Sequence, residues 1–276
     1  MRPISRLLAA ASAAIAVIAP TAGVAGADEP PALESRPGLE WALTVAGGAV
    51  WLTETLLIAE LAPSACRWCD SNPLDDQARG LAWSHANAAK VTSDVISYGI
   101  APLAAGGLLT LGALQDDRAG DLVTDLLIVA QAGVAAGVSG DLIRVVSGRE
   151  RPWVHDLAPE DKAVTDRPEQ NNLSFLSGHT ATAFALAVSA GTVASRRGRR
   201  TAPAIWITGL TLAATTGYLR IAAEQHYLTD VLAGVGAGVG IGLAVPTLHR
   251  PSEPSSAVGA VIAPVRGGAV ILLTVR

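Results

Sequence analysis

The chain has 276 residues, of which half are hydrophobic and 16% charged, with 24 acidic and 20 basic side chains and a net charge of −4. That length can bury a full core in one or two domains, so disorder and miniature scaffolds are excluded. The acidic balance also excludes a phosphate-tracking surface for nucleic acid. Charge falls well below the about 25% of an average soluble chain, and the apolar bulk is Ala, Gly, Val and Leu with only two Phe. Membrane helices pack through such small side chains, although an Ala-rich soluble helical protein fits the same composition.

At the N-terminus, Arg2 and Arg6 precede an apolar run over 7–20 that is shorter than the about 20 residues needed to span a bilayer. Ala25-Gly26-Ala27 follows as an A-x-A cleavage pattern, so 1–27 reads as an export signal, cleaved after Ala27 or retained as an anchor. Export predicts that Cys66 and Cys69 form a local disulfide. A redox-active dithiol or a zinc pair would need a βαβ setting or further ligands, which the neighbourhood does not obviously supply.

Apolar segments then recur at 41–61, 95–114, 122–143, 180–194, 203–219 and 229–248. These predict an all-α bundle of about six helices, largely membrane-spanning. The runs 95–114 and 231–248 carry no charge and are the strongest spans. The first segment is the weakest, because Glu54 and Glu60 lie inside it and an intramembrane carboxylate is costly. The polar stretch 66–94, with Asn72-Pro73 and Asp75-Asp76 as breakers, reads as a surface loop. In the last helix Gly234, Gly238 and Gly242 fall four apart, as do Gly236 and Gly240, leaving a bare face for a neighbouring helix. After Arg250-Pro251, β-type runs at 258–265 and 269–275 flank a glycine turn and predict a C-terminal β-hairpin. The expected organisation is a signal over 1–27, an N-terminal helix and exported loop over 28–94, a helical core over 95–248 and a tail over 249–276.

Three polar clusters interrupt the apolar segments. In the first, Arg144 and Arg151 are seven apart; on a continuous helix they would share a face and grip one oxyanion with two guanidinium forks. The second, Ser177-Gly178-His179 before an Ala-rich helix, offers a hydroxyl, a helix N-terminus and an imidazole able to donate a proton near neutrality. Taken alone, Ser177 could merely cap the helix. The third is Arg220 with His226 and Asp230; at i and i+4 the carboxylate could hold one ring nitrogen and leave the other free as nucleophile or base.

In order and spacing the clusters resemble the type 2 phosphatidic acid phosphatase superfamily, with its K-x6-R-P, P-S-G-H and S-R-x5-H-x3-D signature. The resemblance covers about 95–248. Arg144 stands for the usual Lys, Leu176 for Pro and Leu219 for Ser; no catalytic group is lost. The resemblance implies that His226 attacks phosphorus with Asp230 fixing its tautomer. It implies that His179 protonates the leaving oxygen and that Arg144, Arg151, Arg220, Ser177 and Gly178 hold the phosphoryl group. Neither a metal nor another cofactor is implied.

The clusters fall at one end of the bundle, and Arg196-Arg197-Gly198-Arg199-Arg200 at the other, where the positive-inside rule expects the cytoplasm. The expected enzyme therefore acts at the outer face of the inner membrane on a phosphorylated lipid, a monoester or a pyrophosphate. Six spans after a cleaved signal would reverse that side; an uncleaved signal or a non-spanning first segment restores it. A soluble periplasmic acid phosphatase acting on small phosphoesters is the alternative, followed by a vanadium-dependent haloperoxidase and a non-catalytic membrane protein.

Overall fold

The computed structural model describes Leu33, residues 37–249 and, in backbone only, 258–265 and 268–275. The expected signal over 1–27 and the helix stop at Arg250-Pro251 lie outside the described residues. The principal helices are α1 (Pro37–Leu56), α2 (Pro73–Arg79), α3 (Ala86–Gln115), α4 (Leu122–Ser147), α5 (Gly178–Arg196), α6 (Ala202–Ala222) and α7 (Leu228–Leu248). The described residues are thus mostly helical: five of the six predicted apolar segments lie within a long helix, whereas the first, 41–61, runs past the end of α1 at Leu56 into a separate short helix, Ile58–Leu61. The terminal strands β1 (Val258–Val265) and β2 (Gly268–Val275) pair antiparallel, Val258 opposite Val275.

α5 is the axis of the bundle. Its residues from Thr180 to Ala194 are all buried, which explains its run of Ala, Ser and Gly: a helix ringed by neighbours has no room for large side chains. α7 lies against it through one glycine row. A β-carbon on Gly234 would sit 2.7 Å from the Ser177 carbonyl oxygen, one on Gly242 would sit 2.8 Å from Val188, and one on Gly238 would strike the Ala181 carbonyl. Gly236 and Gly240 face open space instead, so only the first of the two predicted rows makes the close approach.

Among the described residues, three helical stretches, Ala86–Gln115, Ala119–Ser147 and Leu228–Leu248, are long and apolar enough to cross a membrane. α1 is not among them; it packs along α4, where the Trp51 indole occupies the space a side chain at Gly137 would need.

The stretch 66–94 is not the surface loop its composition predicts. Asn72 accepts hydrogen bonds from the backbone N–H groups of Leu74 and Asp75, Pro73 follows at the first helical position, and α2 runs to Arg79. The presumed breakers are a helix start. α3 likewise begins at Ala86, so the expected domain boundary at 94/95 falls inside a helix, one whose π turn spans Ile96–Ile100.

Candidate active site

The site gathers at one end of the bundle from the end of α4, the start of α5, the end of α6, the turn before α7 and the first half of α3. α4 stops at Ser147 because Gly148 adopts the left-handed conformation, φ +56°, which glycine enters without steric cost. Arg144 is therefore helical and Arg151 is not, contrary to the shared helix face that a seven-residue spacing implies. Arg151 is fully buried in the following loop. It donates to the Gln170 carbonyl (2.8 Å) and side chain (3.2 Å), and to the Gln225 side chain (2.6 Å).

Arg144, Arg151, Arg220, His179 and Gln170 line a cavity of about 600 Å³. Arg220 comes from the last turn of α6, and Arg144 pairs with Asp141 one turn back. The Nε groups of Arg144 and Arg220 are buried and have no protein partner. Unsatisfied buried guanidinium donors beside a cavity are donors for a ligand acceptor. Burial, with the positive charges of Arg220 and Arg144, pushes the Arg151 pKa down from its ordinary value; a bound anion would relieve that repulsion. Ser177 precedes the first turn of α5, its hydroxyl 2.8 Å from Thr180 Oγ1, and a β-carbon added at Gly178 would lie 3.8 Å from the Arg144 guanidinium.

His226 lies in the turn before α7 and is 1% exposed. Its Nδ1 is 2.6 Å from the Ser174 carbonyl oxygen. A carbonyl only accepts, so Nδ1 carries the proton and Nε2 the lone pair. Nε2 is buried without a protein partner. Burial first, then the positive Arg151, Arg220 and Arg144, hold the His226 pKa well below 6.5, so the ring stays neutral. A neutral imidazole with one nitrogen tied and the other open is a nucleophile in waiting.

Asp230 does not hold the imidazole directly, because its Oδ2 is 3.9 Å from Nδ1. It accepts from the Ser174 hydroxyl (2.6 Å) and the Tyr227 backbone N–H (2.9 Å). The i, i+4 argument fails because the helix begins at Leu228 and leaves His226 outside it. Asp230 thus reaches the imidazole only through Ser174, whose hydroxyl donates to it and whose carbonyl holds Nδ1.

Three residues outside the predicted set complete the arrangement. Arg149, wholly buried, bridges Asp230 and Asp75 (2.7 Å to the latter) and lies between the rings of Trp68 and Tyr227, 4.0 and 4.3 Å from their centroids. Asp94 meets His179 Nε2 at 2.9 Å, and the Tyr98 ring packs against the same imidazole at 4.7 Å. Arg149 stood in the first cluster, but its partner Asp75 is 74 residues away. Nothing in sequence marked Asp94 or Tyr98.

Cys66 and Cys69 are joined by a disulfide. The loop they close caps α4: Arg67 donates to the carbonyls of Val146 (2.9 Å) and Val145 (3.3 Å), and its backbone N–H donates to Gly148. Trp68 pairs with Arg149 through its backbone.

The PAP2 superfamily model matches residues 125–253, which contain all three clusters. No curated protein matches the chain. Among solved structures, a transmembrane PAP2 type phosphatidylglycerolphosphate phosphatase from Bacillus subtilis aligns at 17% identity, covering 73% of this chain and 94% of that one, with a TM-score of 0.41. With this match over 125–253 and the three clusters in their order, that stretch of the chain is similar to the PAP2 superfamily, which supports phosphatase activity.

Proposed function

We propose that this membrane-associated phosphatase hydrolyses the phosphate monoester or pyrophosphate of a lipid through a phosphohistidine intermediate. The observation that carries the reading is the unpartnered, buried Nε2 of His226 beside three guanidinium groups. Nε2 attacks phosphorus as the bond to the leaving oxygen breaks, and His179 gives that oxygen its proton. His179 then takes a proton from water, whose oxygen displaces His226 and releases phosphate. Arg144, Arg151 and Arg220 offset the charge that gathers on the phosphoryl oxygens in both steps.

A second cavity of about 450 Å³ supports a lipid rather than a small phosphoester. Gly48, Trp51, Leu52 and Ile58 give it an apolar wall, and it shares Tyr98, Arg144 and Gln170 with the phosphate cavity. A headgroup held by Arg144 could place its chain there. The site end faces away from the arginine-rich α5–α6 turn, which supports an outward, periplasmic site.

The test is phosphate release by the purified, detergent-solubilised protein from a lipid phosphate, a lipid pyrophosphate and a soluble phosphomonoester, with His226→Ala as control. Faster turnover of a lipid, lost in the variant, is expected. Preference for the soluble ester would move the chain to the acid-phosphatase reading, and no release from any of them would overturn both.

A further inference from the structure

A carboxylate stands inside this cationic site. Oδ1 of Asp94 is 2.9 Å from His179 Nε2 and 2.9 Å from an Arg220 guanidinium nitrogen. These are two of the groups that a phosphoryl group would use. Its other oxygen lies 3.1 Å from Lys90 Nζ, one turn earlier on α3. The π turn Ile96–Ile100 follows directly, and Tyr98 from that turn covers the same imidazole; single π turns inside helices often mark functional positions. Asp94 and Lys90 both line the phosphate cavity, and each side chain is about one third exposed, so neither is locked in place.

Two anions cannot share these donors. A phosphoryl group bound to His179 and Arg220 would put its charge within a few ångströms of the Asp94 carboxylate, where repulsion in a partly buried site is large. Moving from His179 and Arg220 fully onto Lys90 needs only a side-chain rotation. Resting on the phosphatase reading above, we propose that Asp94 is a positioning residue that stands in for the phosphoryl group. It holds His179 and Arg220 in the empty site, and phosphate displaces it onto Lys90. The exchange keeps the two donors ordered between turnovers and weakens the hold on product.

The experiment is calorimetric titration of inorganic phosphate into the purified protein and its variants. Asp94→Asn keeps the size and removes the charge, and is expected to bind phosphate about tenfold more tightly. KM for a phosphoester should fall in parallel. Asp94→Glu should keep the native Kd. Lys90→Ala should weaken phosphate binding in the native background and have a much smaller effect beside Asp94→Asn, because the displaced carboxylate no longer needs a partner. If Asp94→Asn does not fold, Asp94→Ser carries the same expectation. Unchanged or weaker phosphate binding by the neutral variant, or additive effects of the two substitutions, would overturn the proposal. Because binding needs no turnover, tighter binding without hydrolysis would count against the phosphatase reading alone, and unchanged binding with intact hydrolysis against Asp94 alone.

Discussion

His226 illustrates how environment, rather than residue type, sets chemistry at this site. Its neutrality is imposed by burial and by three guanidiniums, and it has a stability consequence with a definite sign. In the unfolded chain the ring takes a proton below about pH 6.5, whereas in the fold it does not. Stability is therefore unaffected above that pH and declines below it, by up to about 1.4 kcal/mol per pH unit. Thermal unfolding in detergent should show this loss between pH 7 and 5, and His226→Gln should flatten it while abolishing turnover. Arg149 makes the complementary case. It neutralises two buried carboxylates, Asp75 and Asp230, and removing one partner of a buried ion pair leaves the others uncompensated. Arg149→Met should lose about 3–5 kcal/mol in denaturant unfolding, and Arg149→Lys, which cannot fork to both, should retain part of the stability with lower kcat.

At the scale of elements, close approach and capping decide the geometry. Gly238→Val should cost about 1–3 kcal/mol or prevent folding, because the added atoms meet the Ala181 carbonyl. Gly236→Ala, facing open space on the same helix, should stabilise it by up to about 1 kcal/mol; melting curves of the two variants separate these effects. The Cys66–Cys69 loop caps α4 and backs Arg149 through Trp68. Opening the disulfide should cost about 2 kcal/mol by the loop-entropy relation and lower kcat by loosening the link to Asp230. Activity before and after reduction, compared with a Cys66→Ser, Cys69→Ser double variant, tests this.

For the whole molecule, the two ends of the bundle carry different electrostatics. The end that gathers the three clusters presents guanidiniums to a cavity. At the opposite end the arginine run is tied down: Arg197 and Arg199 pair with buried Asp125 at 2.9 and 3.2 Å, and Arg196 donates to the Pro246 carbonyl at 2.6 Å. The run that reads in sequence as a basic loop is also a clamp on the ends of α4, α5 and α7. With three helices fit to cross a bilayer and large apolar side chains such as Leu103, Ile207 and Leu248 exposed on the bundle, the expressed chain should sediment with membranes. It should resist alkaline carbonate and come out with detergent, as fractionation would show.

Sequence alone determined what depends on local pattern. Apolar runs placed the long helices, glycine spacing gave the last helix a bare face without naming the helix against it, and the three clusters marked most of the candidate site, because each signal lies within a few residues of chain. One local feature also escaped the sequence reading: Asn72 and Pro73 begin a helix rather than breaking one, because composition does not distinguish a cap from a turn. Tertiary structure decided what depends on partners distant in sequence. Asp230 reached His226 only through Ser174, because the helix start left the imidazole in a turn and brought a carbonyl 52 residues away to its ring. Arg149 found Asp75, and Asp94 found His179, only when helices far apart in the chain were packed together. A buried charge acquires its role from whatever the fold sets beside it.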